Sequence, residues 1–108
     1  MPLTLPPSAV VRVSRGNFDP ARFAEVERMT RDTGVYLRSA ISRLPGLIGY
    51  AAGASRSGSM VHVSLWESEE RAEQMSALKE MIVDARGDAE KVGVSFIPIV
   101  NYPIDWSL

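Results

Sequence analysis

The sequence contains no cysteine and a single histidine, His62. Without thiols there is no disulfide framework, thiolate nucleophile or thiolate metal site. One imidazole leaves carboxylates as the other metal donors, and Glu67, Glu69, Glu70 and Glu73 read as a solvated helix start rather than a cage, so no metal is expected. No apolar run approaches the roughly 18 residues of a membrane span. The opening MPLTLPPSAV places no Lys or Arg before an apolar run, so a signal peptide is not expected and the cytoplasm is the default location. An excess of one charge is also missing: the net charge is −1, which argues against a nucleic-acid partner. The glycines between Gly46 and Gly58 match neither the phosphate-loop nor the dinucleotide spacing, and no cofactor is expected from them.

What is present is an ordinary globular composition, 45% hydrophobic and 23% charged over 108 residues. One domain over 1–108 is expected, with an extended Pro-containing arm over 1–7 and a tail over 103–108. The charges are unevenly placed. Up to Met60 there are eight Arg against four acids, and from Val61 onward four cations against nine acids. Complementary charge between the halves, or across a dimer, is the simplest reading.

The chain is organised around a central hairpin, PGLIGYAAGASRSGSMVHVSLWE, with strands over Gly46–Ala54 and Ser59–Glu67 joined by Ser55-Arg56-Ser57-Gly58. Before it, Val10, Val11 and Val13 suit a first strand. A helix then starts at Asp19, with Pro20 at its first position and Phe18 stapled to Phe23. Its apolar stripe runs Phe23, Val26, Thr30, Thr33, Leu37, Ile41, Leu44, with a bend or break expected at Asp32-Thr33-Gly34. After the hairpin, Ser68 caps a second helix with the stripe Ala72, Met75, Leu78, Ile82, Ala85, Ala89, Val92 and a kink, or a split into two shorter helices, expected at Gly87. The last strand, Val94–Tyr102, contains Pro98, which demands an edge, a bulge or a swap between sheets. Trp106 in the tail suits an anchor against the body or a partner.

The Leu44-Pro45-Gly46 step into a strand, and the strand ending Trp66-Glu67-Ser68-Glu69-Glu70, resemble the dimeric α/β barrel superfamily, and within it the antibiotic biosynthesis monooxygenase type. The resemblance covers roughly Val10 to Tyr102. It implies an α+β, ferredoxin-like βαββαβ protomer with an antiparallel sheet, a homodimer formed sheet to sheet, and a ligand pocket between each sheet and its own helices. The haem-degrading branch of the superfamily carries an axial histidine on the second helix, and Glu69–Val92 has none, so haem is not expected.

By the same resemblance Trp66 points into the pocket, and strand alternation carries Ser64, His62 and Met60 to the same side. His62 is either a general base or a strand histidine satisfied by a neighbour. Trp66 is either a stacking surface for a planar ligand or a core aromatic. Arg12, Tyr36, Tyr50, Asn101 and Tyr102 are further polar candidates that the sequence alone does not place on the pocket face. Two functions remain open. One is a small-ligand-binding barrel acting as a cofactor-independent monooxygenase on a phenolic or quinol-like aromatic. The other is a non-catalytic ligand-binding or structural dimer.

Overall fold

The computed structural model describes residues 4–108. Of the expected arm, residues 1–3 lie outside this range. Beyond them, the Ser8 hydroxyl donates to the Glu67 carbonyl at 2.6 Å and Ala9 is buried.

The first strand, β1, spans Val10–Asn17 and lies in the middle of the sheet. Helix α1 follows over Phe23–Ile41, then the hairpin strands β2 (Leu47–Ser55) and β3 (Ser59–Trp66). Helix α2 (Glu69–Ala72) continues into a 3-10 turn over Glu73–Ala77, a π-helical turn over Glu80–Ala85 and helix α3 (Arg86–Lys91). Two short strands, β4 (Ser95–Phe96) and β5 (Val100–Pro103), pair with the same edge of β1. The sheet order is β2-β3-β1-β4 and all pairings are antiparallel, so β4 and β5 together act as one broken last strand. This is the α+β, βαββαβ ferredoxin-like arrangement.

Local chemistry accounts for most boundaries. The Asp19 carboxylate accepts from the Ala21 amide at 2.9 Å, and Pro20 opens a 3-10 turn that runs into α1. Phe18 and Phe23 belong to the same apolar cluster, as a staple requires. Gly46, Gly58 and Gly93 carry positive φ at the three turns that need it. Pro98 sits where the last strand is interrupted. Two residues of β1 between Val13 and Gly16 face three residues between Phe96 and Val100, so the missing amide is absorbed by a one-residue bulge on an edge strand.

Three expectations need correction. Helix α1 runs unbroken through Asp32-Thr33-Gly34. Thr33 is buried there and donates to the Thr30 carbonyl, so tertiary packing overrides the weak local propensity. The second helix is interrupted not at Gly87, which lies inside α3, but at Leu78, whose backbone is extended with ψ 110°. The π turn that follows puts the helix out of phase with a 3.6-residue stripe, and Ile82, expected inside, is 44% exposed. The hairpin loop is also one residue shorter than expected, because Ser55 pairs with Ser59 inside the ladder.

The helices cover one sheet face, where two apolar clusters form. One gathers Val10, Leu37, Ile41, Trp66, Met75 and Ala85, and the other Phe18, Val26, Met29, Met60 and Val94. The clusters are not continuous. Between them the sheet presents polar side chains, and that gap is where the candidate site lies.

Candidate functional site

Strand register builds the site row by row. Residues paired across neighbouring strands share a face, so Asn101, Arg12, Ser64 and Tyr50 form one row across β5, β1, β3 and β2. The next row is Ser14, His62 and Ala52. An apolar row bounds the stripe on each side, Val10, Trp66 and Leu47 on one and Gly16, Met60 and Ala54 on the other. Where the helices meet these polar rows they cannot close on them, and a cavity of about 260 Å³ remains. The sheet contributes Arg12, Ser14, Tyr50, Met60, His62 and Ser64 to its wall. The interrupted second helix contributes Met75, Ser76, Met81, Ile82, Ala85 and Arg86. The 3-10 and π turns therefore form the roof of the cavity, a common place for such irregularities.

Of the residues singled out from the sequence, His62, Ser64 and Met60 line this cavity. Trp66 shares their strand face but lies behind them in the core, fully enclosed, with its indole N–H donating to the Ser64 hydroxyl at 2.8 Å. It fixes the Ser64 rotamer rather than facing the open space. Tyr36 is bonded instead to Asp88 at 2.9 Å, and Tyr102 is exposed on the opposite sheet face.

His62 has a specific partner. The Tyr50 hydroxyl lies 2.6 Å from Nδ1, with the two rings edge to face at 5.6 Å. Burial lowers the His62 pKa from 6.5 to about 4, so the imidazole is neutral near pH 7. Burial also raises the Tyr50 pKa, opposed by the positive charge of Arg12, so the phenol is neutral as well. A neutral phenol and a neutral imidazole share one hydrogen bond. In the tautomer with its ring proton on Nε2, His62 accepts the Tyr50 O–H at Nδ1. Among the described residues no buried side-chain N or O atom lacks a partner, and Nε2 has none in the protein, so it faces open space.

Arg12 is the buried charged group of the site. It is only 6% exposed, and its guanidinium donates to Ser76 at 3.0 Å and Asn101 at 3.4 Å, with Glu73 at 3.6 Å. Glu73 also accepts from Asn101 at 2.6 Å, which ties the roof to the last strand. The arrangement can hold an anion in a mainly apolar enclosure: one fixed cation, one N–H from His62 and hydroxyls from Ser14 and Ser64. Alternation alone carried a signal for Arg12, since it shares with Val10 the face that β1 buries. Among the described residues no group of three His, Cys, Asp or Glu is placed to hold a metal.

No protein-family model matches the chain, and no curated protein matches it. Solved structures do. SnoaB from Streptomyces nogalater, a cofactor-independent oxygenase solved as a mutant form, superposes with a TM-score of 0.67 at 16% identity, covering 94% of this chain and 97% of that one. A Deinococcus radiodurans protein provisionally named an antibiotic biosynthesis monooxygenase gives 0.67 at 16% identity, covering 92% and 95%. The chain has the antibiotic biosynthesis monooxygenase fold. A Caulobacter crescentus protein of the same provisional name extends the likeness, with a TM-score of 0.66 at 16% identity over 90% of both chains. At these identities the likeness concerns architecture, and any chemistry must be argued from the side chains of this chain. No helix among the described residues is long and apolar enough to cross a membrane.

Proposed function

We propose that the protein is a homodimeric barrel whose inner cavity binds a phenolic or quinol-like aromatic and directs its oxygenation by dioxygen without a cofactor. The observation that carries this reading is the buried Arg12 guanidinium beside the neutral Tyr50–His62 pair in a mainly apolar cavity. The reaction requires an electron-rich ring anion, exclusion of water, and fixed donors for the negative oxygen. Arg12 holds the phenolate or enolate, whose proton passes to solvent as the anion forms, and lowers the cost of that ionisation. The His62 Nε2–H supplies a second donor to the same charge as it shifts toward dioxygen. One oxygen atom enters the ring, the other leaves as water, and the substrate supplies the electron pair and both hydrogens. His62, a candidate general base on sequence grounds, acts here as a hydrogen-bond donor held in its tautomer by Tyr50. An imidazole with a pKa of about 4 is a poor base for a phenol, whose ordinary pKa is about 10.

The dimer follows from the opposite sheet face, which carries no helix. Val63, Val100 and Tyr102 are 37%, 41% and 51% exposed on it, beside the small β2 residues Gly49 and Ala51. A second copy of this face buries that surface. Trp106, 78% exposed in the tail, is a further apolar group available to a partner.

The test is dioxygen uptake by chelator-treated protein over a panel of hydroquinones and naphthols. The reading expects stoichiometric uptake with at least one of them and a drop of roughly 10²–10³-fold in Arg12→Gln, the usual scale for losing an anion-stabilising donor. His62→Gln, which keeps an N–H donor, retains more activity than His62→Phe. Uptake indifferent to Arg12 and His62 contradicts the mechanism. No uptake with any substrate, alongside ligand binding, favours the non-catalytic dimer.

A further inference from the structure

The Tyr50–His62 pair is a shared wall. Behind it, between α1 and the edge strand β2, lies a second cavity of about 500 Å³, and Tyr50 and His62 line both spaces. This outer cavity exists because small residues face each other across it, Gly34 on α1 and Ala52 on β2. A side chain at Gly34 would meet nothing within 4 Å.

The outer cavity has a definite electrostatic sign. Arg31 and Arg38, two turns apart on α1 and flanking Gly34, both line it, and no Asp or Glu does. The inner cavity has the same character, with Arg12 and Arg86 and no acid. In a chain with net charge −1 this is a separation of charge, not a general basicity. Structural pairing absorbs little of it. Arg31 meets Glu27 at 3.6 Å in an exposed pair, and among the described residues Arg38 has no ion-pair partner. Among those residues only Arg12–Glu73 joins the basic and acidic halves of the chain, so complementarity within the protomer does not explain the arginines of α1.

We infer that the ligand is bipartite: its ring occupies the inner cavity, and a carboxylate on a short flexible arm passes the Tyr50–His62 wall to be held by Arg31 and Arg38. This rests on the reading of the inner cavity as the ring site and adds the chemical class of the rest of the molecule. Guanidinium forks fit a planar carboxylate in two-point geometry, and exposed arginine heads over a concave space capture an anion without first being desolvated. The arm also accounts for a cavity larger than the inner one on the side away from the buried cation.

The probes are 1-naphthol, a naphthol carrying a butanoate chain, and the corresponding butanamide, titrated calorimetrically into wild type and the Arg31→Gln/Arg38→Gln double variant. Both positions are solvent-exposed helix residues, so the variant retains the fold. The acid is expected to bind wild type at least tenfold tighter than the amide, with the gap closing in the double variant and shrinking at high salt. Naphthol itself is expected to bind both proteins alike. Naphthol binding with no acid–amide gap, or a gap that survives the double substitution, overturns the bipartite ligand alone. Failure of naphthol and the butanoate to bind overturns the ring site with it.

Discussion

The His62–Tyr50 pair makes stability depend on pH in a way that a single substitution isolates. In the unfolded chain His62 titrates near its ordinary 6.5, whereas in the folded protein burial lowers it to about 4. The unfolded state therefore binds the proton first. The contribution of neutral His62 is fully present above pH 6.5 and is lost as the pH falls toward 4, where it levels off. At 1.36 kcal/mol per pH unit, the interval from 6.5 to about 4 is worth about 3 kcal/mol. Between pH 7.5 and pH 5.0 the expected loss is about 2 kcal/mol from this one group. Denaturant unfolding at fixed protein concentration, followed at half-unit intervals, measures it for wild type and for His62→Gln, which keeps an acceptor for the Tyr50 hydroxyl. Carboxylate titrations are common to both proteins and cancel in the difference. The wild-type curve must fall below the variant's by about 2 kcal/mol over that range. Parallel curves would mean that His62 is not held neutral, and the assignment of its proton to Nε2 would fail with it.

Other consequences are more local. Gly58→Ala forces a side chain into φ +97° with its Cβ 2.5 Å from the Phe18 carbonyl, and should cost about 1–3 kcal/mol by thermal or denaturant unfolding. Trp66→Ala empties a fully enclosed site and should cost about 3–5 kcal/mol, whereas Trp66→Phe should cost much less while releasing the Ser64 hydroxyl, detectable as weakened naphthol binding. Val63→Asp puts a charge at the centre of the helix-free sheet face and should convert a dimer to monomers by sedimentation at micromolar concentration, with the protomer fold retained by circular dichroism.

The parts of the fold that were legible in the sequence are those decided locally. The Asp19-Pro20 start, the Phe18–Phe23 staple, the Ser68 cap, the positive-φ glycine of the hairpin and the irregularity at Pro98 each follow from a few adjacent residues. The interruption at Leu78 was not legible because no Gly or Pro lies between Glu73 and Ala85. There the backbone departs from a regular helix where Ser76 and Glu73 are engaged by Arg12, a contact 64 residues away in sequence for Ser76. Site membership was limited by register. His62, Ser64 and Met60 could be grouped by alternation on one strand, but Tyr50 could not be joined to them. A four-residue loop over 55–58 pairs His62 with Ala51 and turns Tyr50 to the far face, whereas the observed loop pairs His62 with Ala52 and brings Tyr50 in. One residue of register thus separates an isolated strand histidine from a Tyr–His pair. Arg12 posed the same difficulty, since its row exists only once β1 is known to lie between β3 and β5.

The central claim is that the cavity between the polar rows of the sheet and the interrupted second helix is a ligand site. The most direct measurement is a calorimetric titration of 1-naphthol into wild type and into Ala85→Phe, which projects a ring into that cavity from its buried rim. The account predicts saturable binding of one naphthol per chain in wild type and loss of binding in a folded Ala85→Phe protein. Undiminished binding in the variant would contradict it.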